Sequence, residues 1–333
     1  MKICLYLEFY HFLGGRLYRN IGTGLLSSYD NQKKILADLH IPYSETWDDS
    51  CDILQINTPW LNSVRIARKA KRLGKKVIMW AHVTAEDTQQ VFRFTSFIFW
   101  LIKKYLTYAY GLADVVCCPS EYTKSLLVAY GLPKEKLIVQ SNGVDTTRFV
   151  KDAKKRLRAR EQRKLHGVVI GTVGLAIPRK GIDDFLEVAR AFPEQQFIWY
   201  GKIYSSLFVK PFPKQLPKNV EFTGYVDDIV AAFHSLDVFV FLSFEENQGM
   251  AILEAAAAGL PIVVRDIPVY QGWLIHGENC FKAKTVEEIQ AGVHRLIHNS
   301  DLRERLGRNA KQLAEEHSLQ TIKKHLCAVY NVF

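Results

Sequence analysis

VFVFLSFEENQGMAILEAAAAGLPIVVRD, residues 238–266, places two short apolar runs on either side of a polar turn and an Ala-rich stretch. Val238–Leu242 is rich in Val and Phe and too short for a helix, so it predicts a buried strand; Pro261–Val264 predicts a second. Between them Met250–Ala258 has helix-forming composition, and Gly259 and Pro261 stop it. A strand–helix–strand unit whose strands are apolar throughout is the building block of a parallel α/β sheet. Ligands in such sheets lie beyond the carboxyl ends of the strands, so the turn Glu245–Gly249 faces a crevice. Gly249 removes a side chain where backbone would approach a ligand, and the amides of Met250, Ala251 and Ile252 would point at an anion from the helix start. Glu246 in the turn and Glu254 on the helix could reach opposite ends of that ligand. Two ordinary helix-start acids favoured by the dipole would look the same.

The same alternation extends outward in both directions. Apolar runs at Ile3–Leu7, Ile53–Asn57, Val77–Ala81, Val115–Pro119 and Leu137–Gln140 predict strands in the first half. Val168–Val173, Phe197–Tyr200 and Val220–Phe222 join the two strands above in the second. A chain of 333 residues exceeds what one hydrophobic core usually serves. Lys151–Leu165 carries eight basic and two acidic residues and reads as a solvated linker or surface helix. The expected organisation is therefore a first α/β domain over 1–150 and a second over 151–317, with 318–333 a C-terminal helix.

The order of the motifs carries a family resemblance. Glu246-x7-Glu254 followed by Ala255-x-Ala-x-Gly-x-Pro-Ile-Val263 resembles the signature of glycosyltransferase family 4, which has the GT-B fold. Ser141-Asn-Gly-Val-Asp-Thr146 with Phe149 resembles the family's inter-domain element, and Pro178-Arg-Lys-Gly181 its turn after the first strand of the second domain. Gly131–Lys136 and Asp301–Ala314 also fit. The resemblance implies an α/β fold of two Rossmann-like domains whose parallel sheets face a central cleft. It implies a retaining transfer of a hexose from UDP-glucose or UDP-galactose, with no cofactor and no metal. Glu246 would contact the donor sugar, Glu254 the ribose, and Lys180 the diphosphate. Many family members carry an Arg a few residues before this Lys, where the chain reads Gly174-Leu-Ala-Ile177; Arg179 is the candidate replacement. Gly22-Thr-Gly24 resembles the family's Gly-rich loop beside the diphosphate. His82, ending a predicted strand, matches the active-site His that hydrogen-bonds the donor sugar.

Charge and aromatic patterning bear on the acceptor. The net charge is +10, which points to an anionic partner without saying which. Trp60–Lys76 holds seven basic residues and no acid. On a helix, Arg65, Arg68, Lys69, Arg72 and Lys76 would form one face, with Ile66, Ala70 and Leu73 on another. Phe94–Tyr110 holds seven aromatics with Lys103 and Lys104, which suits a bilayer interface with Phe99 and Trp100 as anchors. A solvated helix face and a core helix are the bland alternatives. Gly22–Leu36, His82–Phe94 and Val264–Leu274 resemble the bacterial glycolipid synthases of the family, which glycosylate diacylglycerol or glucosyl-diacylglycerol. The expected acceptor is accordingly glucosyl-diacylglycerol at an anionic membrane surface, reached from the cytoplasmic face. The alternatives are first-step diacylglycerol glucosylation and transfer to a soluble saccharide. No nucleic-acid module is present, so that partner is not expected. Six cysteines without a C-x-x-C pair give no disulfide or zinc framework and suit a reducing compartment.

Overall fold

The computed structural model describes residues 1–8, 24–89, 95–204, 212–213 and 215–331. Two six-stranded parallel sheets form among these residues. The first contains β1 (Ile3–Tyr6), β2 (Tyr43–Ser44), β3 (Ile53–Ile56), β4 (Lys76–Trp80), β5 (Val115–Cys118) and β6 (Leu137–Val139), in the order β2-β1-β3-β4-β5-β6. The second contains β7 (Val169–Val173), β8 (Gln196–Tyr200), β9 (Val220–Phe222), β10 (Val238–Phe241), β11 (Ile262–Arg265) and β12 (Phe281–Ala283), in the order β12-β11-β10-β7-β8-β9. The strand order reverses beside β1 in one sheet and beside β7 in the other, which opens a crevice at the strand ends of each lobe.

The helices of the first lobe are α1 (Gly24–Asp38), α2 (Leu61–Arg72), α3 (Glu86–Gln89), α4 (Thr95–Gly111) and α5 (Glu121–Ala129). Those that follow are α6 (Ala153–Gln162), α7 (Ile182–Ala191), α8 (Ile229–Ser235), α9 (Met250–Ala257), α10 (Val286–His298), α11 (Ser300–Glu316) and α12 (Leu319–Asn331). α9 is buried at every position except Ala251, as a composition apolar at all positions but Glu254 favours. Its end lies against α11 so closely that a Cβ on Gly307 would sit 2.3 Å from the Gly259 carbonyl oxygen. The basic stretch after residue 150 is indeed helical: α6 is a surface helix, tied down where Arg156 and Arg160 both grip Asp237.

The two edge strands β2 and β12 have no counterpart in the sequence reading. One is two residues long and the other has Lys282 at its centre, so neither makes an apolar run. Their pairing with β1 and β11 creates them.

The chain leaves the first lobe at Val144 and returns beside it. Val144 N–H donates to the His317 carbonyl (2.9 Å), and Leu319 N–H donates to the Val144 carbonyl (3.1 Å). α12 then docks on the first sheet, burying Ile322, Leu326 and Tyr330 among Ile3, Leu5, Tyr29 and Trp80. The Tyr330 hydroxyl donates to Gln55 Oε1 at 2.8 Å. The last helix thus straps the two lobes together. Leu326 is fully buried here, so Leu326→Ala is expected to cost about 3 kcal/mol of unfolding free energy in urea titrations. A cost under about 1 kcal/mol would mean that the helix is not docked.

Candidate active site

The turn Phe244–Gly249 follows β10 directly, and Gly249 begins α9 with φ +94°, a conformation that favours glycine. Beside it, the turn Pro178–Lys180 leads into α7 through Gly181 (φ +77°), where a Cβ would lie 2.4 Å from the Leu242 carbonyl oxygen. That contact presses the two turns together. Lys180 Nζ donates to Glu246 Oε1, which also accepts from Ser243 Oγ at 2.6 Å. Arg179 donates to the Glu245 carbonyl and lies 3.7 Å from Glu246 Oε1. Burial pushes the Glu246 carboxyl up, but Lys180 and Arg179 outweigh it and hold the group below its ordinary range. Glu246 is therefore ionised and already engaged, which makes it a poor general base.

The first lobe completes this cluster. Asp87, on α3, places Oδ1 3.4 Å from Arg179, while its Oδ2 accepts from Asn247. Asn247 also donates to the His82 carbonyl at 3.0 Å, and Thr123 donates to the Asn247 carbonyl at 3.2 Å. His82 Nε2 lies 3.3 Å from Asn57 Oδ1, and its ring stacks on Trp80. Asn57 Oδ1 can only accept, so Nε2 carries the proton. Desolvation holds the His82 pKa at about 3, leaving a neutral ring that can hydrogen-bond without repelling a cation.

An open cleft of about 660 Å³ lies between the lobes. Glu254, Met250, Ala251, Ser27, Arg148 and Tyr200 are among its lining residues, and Gly24 is another. Glu254 Oε1 accepts from Ser27 Oγ of α1 at 3.2 Å, and burial pushes its carboxyl up to about 7. A Cβ on Gly24 would meet Met250 at 3.0 Å, so the glycine lets α1 begin against the start of α9.

The structure thus sorts the sequence candidates into two groups. Glu254, Gly24, Met250 and Ala251 line the cleft; Glu246, Lys180, Arg179 and His82 do not, and sit beside it in the polar cluster. Gly249 shapes the turn. Ile252 is a correction: its amide donates to the Gly249 carbonyl at 3.0 Å and its side chain is core, so it is not free for an anion. Gly22 lies outside the described residues. Sequence reasoning passed over Asp87 and Ser27. Asp87 stands just beyond the carboxyl end of β4 with His82, and the same strand-end rule could have found it; nothing in the sequence pairs Ser27 with Glu254.

The basic stripe also needs correction. Arg65, Arg68, Lys69 and Arg72 are exposed and line an open groove of about 550 Å³ with Tyr105 and Tyr108 of α4. Lys76 is not on this helix. α2 ends at Arg72, Gly74 turns the chain at φ +69°, and Lys76 opens β4. Of the expected apolar face, Ala70 is buried and Ile66 packs against the core, but Leu73 is 47% exposed; Ser63, Val64 and Ala67 complete the buried face. Acids from elsewhere answer part of the charge: Asp49 meets Lys69 at 2.7 Å and Asp114 meets Lys71 at 2.5 Å. On α4 the aromatics divide. Phe99 and Tyr105 pack against the core, whereas Trp100 is 53% exposed.

Comparison with known proteins agrees with this architecture. A family model described as "Glycosyl transferases group 1" matches residues 153–313, and one described as "Glycosyltransferase Family 4" matches 30–148. The chain is 33% identical to a processive diacylglycerol alpha-glucosyltransferase of Acholeplasma laidlawii, over 92% of this chain and 93% of that one. It is 27% identical to an alpha-galactosylglucosyldiacylglycerol synthase of Streptococcus pneumoniae, covering 75% and 70%. The crystal structure of Anabaena Alr3699/HepE in complex with UDP-glucose superposes over the whole of both chains with a TM-score of 0.78 at 18% identity, showing the shared fold.

The raised Glu254 pKa fixes the sign of a pH effect. An unfolded Glu ionises near pH 4.3, but the folded one only near 7, so its burial increasingly opposes folding as pH rises between them. Glu254→Gln should therefore raise the melting temperature relative to the parent protein at pH 8, by a stabilisation on the order of 2 kcal/mol, and by much less at pH 5. A difference independent of pH would show that the carboxyl is not held in this state.

Proposed function

The chain belongs to glycosyltransferase family 4, and from that premise we propose that it transfers glucose from UDP-glucose to a diacylglycerol-based lipid at a membrane surface, with retention of configuration. The observation that carries the reading is the cleft bounded by the start of α9 and Glu254, with the Arg179–Lys180 pair beside it. Glu254 accepts hydrogen bonds from the donor's ribose hydroxyls, replacing Ser27. The amides of Met250 and Ala251 at the helix start, together with Lys180 and Arg179, meet the diphosphate. They stabilise the charge that develops as the nucleoside diphosphate leaves, and no metal is called for. Neutral His82 hydrogen-bonds the sugar.

The acceptor hydroxyl attacks the anomeric carbon on the face from which the diphosphate departs, and a diphosphate oxygen takes its proton. Glu246, ionised and bound to Lys180 and Ser243, is then a positioning group that orients the lysine and not the base of an inverting displacement.

The lipid acceptor is supported by the A. laidlawii relative, a diacylglycerol glucosyltransferase, and by the S. pneumoniae relative, a galactosylglucosyldiacylglycerol synthase. None of the helices in the described residues is long and apolar enough to cross a membrane, so attachment would be superficial. The groove between α2 and α4 supports that mode: Arg65, Arg68 and Arg72 gather there, with exposed Trp100 also on α4. Basic residues near an anionic leaflet contribute about 1 kcal/mol each, enough in combination for reversible binding.

Incubation with UDP-glucose over vesicles of diacylglycerol or glucosyl-diacylglycerol in anionic lipid should give an α-linked glucolipid by NMR. A β-linked product, or none with either acceptor, would overturn the reading. Changing Arg65, Arg68, Lys69 and Arg72 together to Ser should lower vesicle binding and lipid glucosylation at least tenfold, with UDP affinity unaltered. Unchanged vesicle binding in that variant would move the membrane contact elsewhere.

A further inference from the structure

Among themselves the ion pairs of the polar cluster across the lobes balance in charge, while burial pushes the carboxyl of Glu245 alongside up to about 7. Arg179 and Lys180 bring two positive charges from one lobe; Glu246 answers with one negative charge, and Asp87 crosses from the other lobe with the second. None of the four side chains is more than 17% exposed, so water does little to screen them. Asp87 is committed on both oxygens. One faces Arg179, while the other accepts from Asn247 and from the Thr84 amide and hydroxyl, both at 3.2 Å. On Arg179 the buried Nε has no partner, so the guanidinium retains a donor for a further acceptor.

We propose that Asp87 is an internal stand-in for the donor's diphosphate, clamping the lobes together through Arg179 and Asn247 until a nucleotide displaces it. This rests on the donor site proposed above. A nucleotide-sugar diphosphate carries two negative charges. Were Asp87 to stay, the cluster would hold four negative charges against two positive, in a site with little water to screen them. Asp87 therefore gives up Arg179 when the diphosphate enters, and Asn247 loses one of its three partners in the first lobe, keeping His82 and Thr123. A small anion such as phosphate has no contact at Glu254 to offset the lost clamp, so the exchange selects for the complete nucleotide. After transfer, the returning carboxylate competes with UDP for Arg179 and speeds product release.

Calorimetry with UDP on the parent protein, Asp87→Asn and Asp87→Glu tests the exchange. Asn keeps the side chain's shape and can still accept from Thr84, but removes the charge. Asp87→Asn should bind UDP about tenfold more tightly, because fewer molecules are held in the clamped form, and Asp87→Glu should stay within about twofold of the parent. Equal or weaker UDP binding by Asp87→Asn would overturn the proposal. Should that variant not fold, hydrogen exchange of the Thr84 amide in the parent protein decides: faster exchange with UDP supports release of Asp87, and unchanged or slower exchange contradicts it. Failure of the parent protein to bind UDP would count against the donor site itself, whereas UDP binding without the gain in Asp87→Asn overturns the clamp alone.

Discussion

The arrangement around the cleft depends on keeping Arg179 and Lys180 charged away from bulk water. Two buried cations side by side are costly unless anions meet them. Glu246 does so from the turn that follows β10, and Asp87 does so from the opposite lobe. The β7–α7 turn is pressed onto the end of β10 by the close contact at Gly181, which sets the distance between lysine and glutamate. The geometry of the site therefore follows from packing in the second sheet, while its closure draws on one carboxylate in the first lobe.

Several of the other contacts between the lobes are polar, although Tyr122 also packs against the core of the second lobe. Ser27 meets Glu254, and Gln248 accepts from the Asn142 amide at 2.9 Å and donates to Ser141. Such contacts can exchange for those of a ligand at modest cost, unlike the apolar docking of α12 on the first sheet. The strap holds the lobes in proximity, and under the proposed function the polar contacts would rearrange over a donor.

Much of this was legible in the sequence because it rests on local signals. The apolar runs of β10 and β11 and the composition of α9 announced a parallel α/β unit, and the strand-end rule put Glu246 and His82 at a crevice, whereas Lys180 was singled out only by the family resemblance. What escaped depends on pairing between distant segments. β2 and β12 exist because β1 and β11 offer them hydrogen bonds, and their own residues show no strand pattern. The helical period drawn through Lys76 failed at Gly74, where the left-handed turn ends α2 and starts β4. No spacing rule shows that Lys180 binds Glu246, or that a carboxylate 92 positions away from Arg179 reaches it.

In the function proposed above, one nucleoside diphosphate is held jointly by the α9 start with Glu254 and by the Arg179–Lys180 pair. Calorimetric titration of UDP into Lys180→Ala and Glu254→Ala, each confirmed as folded by circular dichroism, tests this directly. The account predicts that each variant loses at least tenfold in UDP affinity, as expected when a buried charged partner of a ligand is removed. UDP affinity unchanged in both would contradict it.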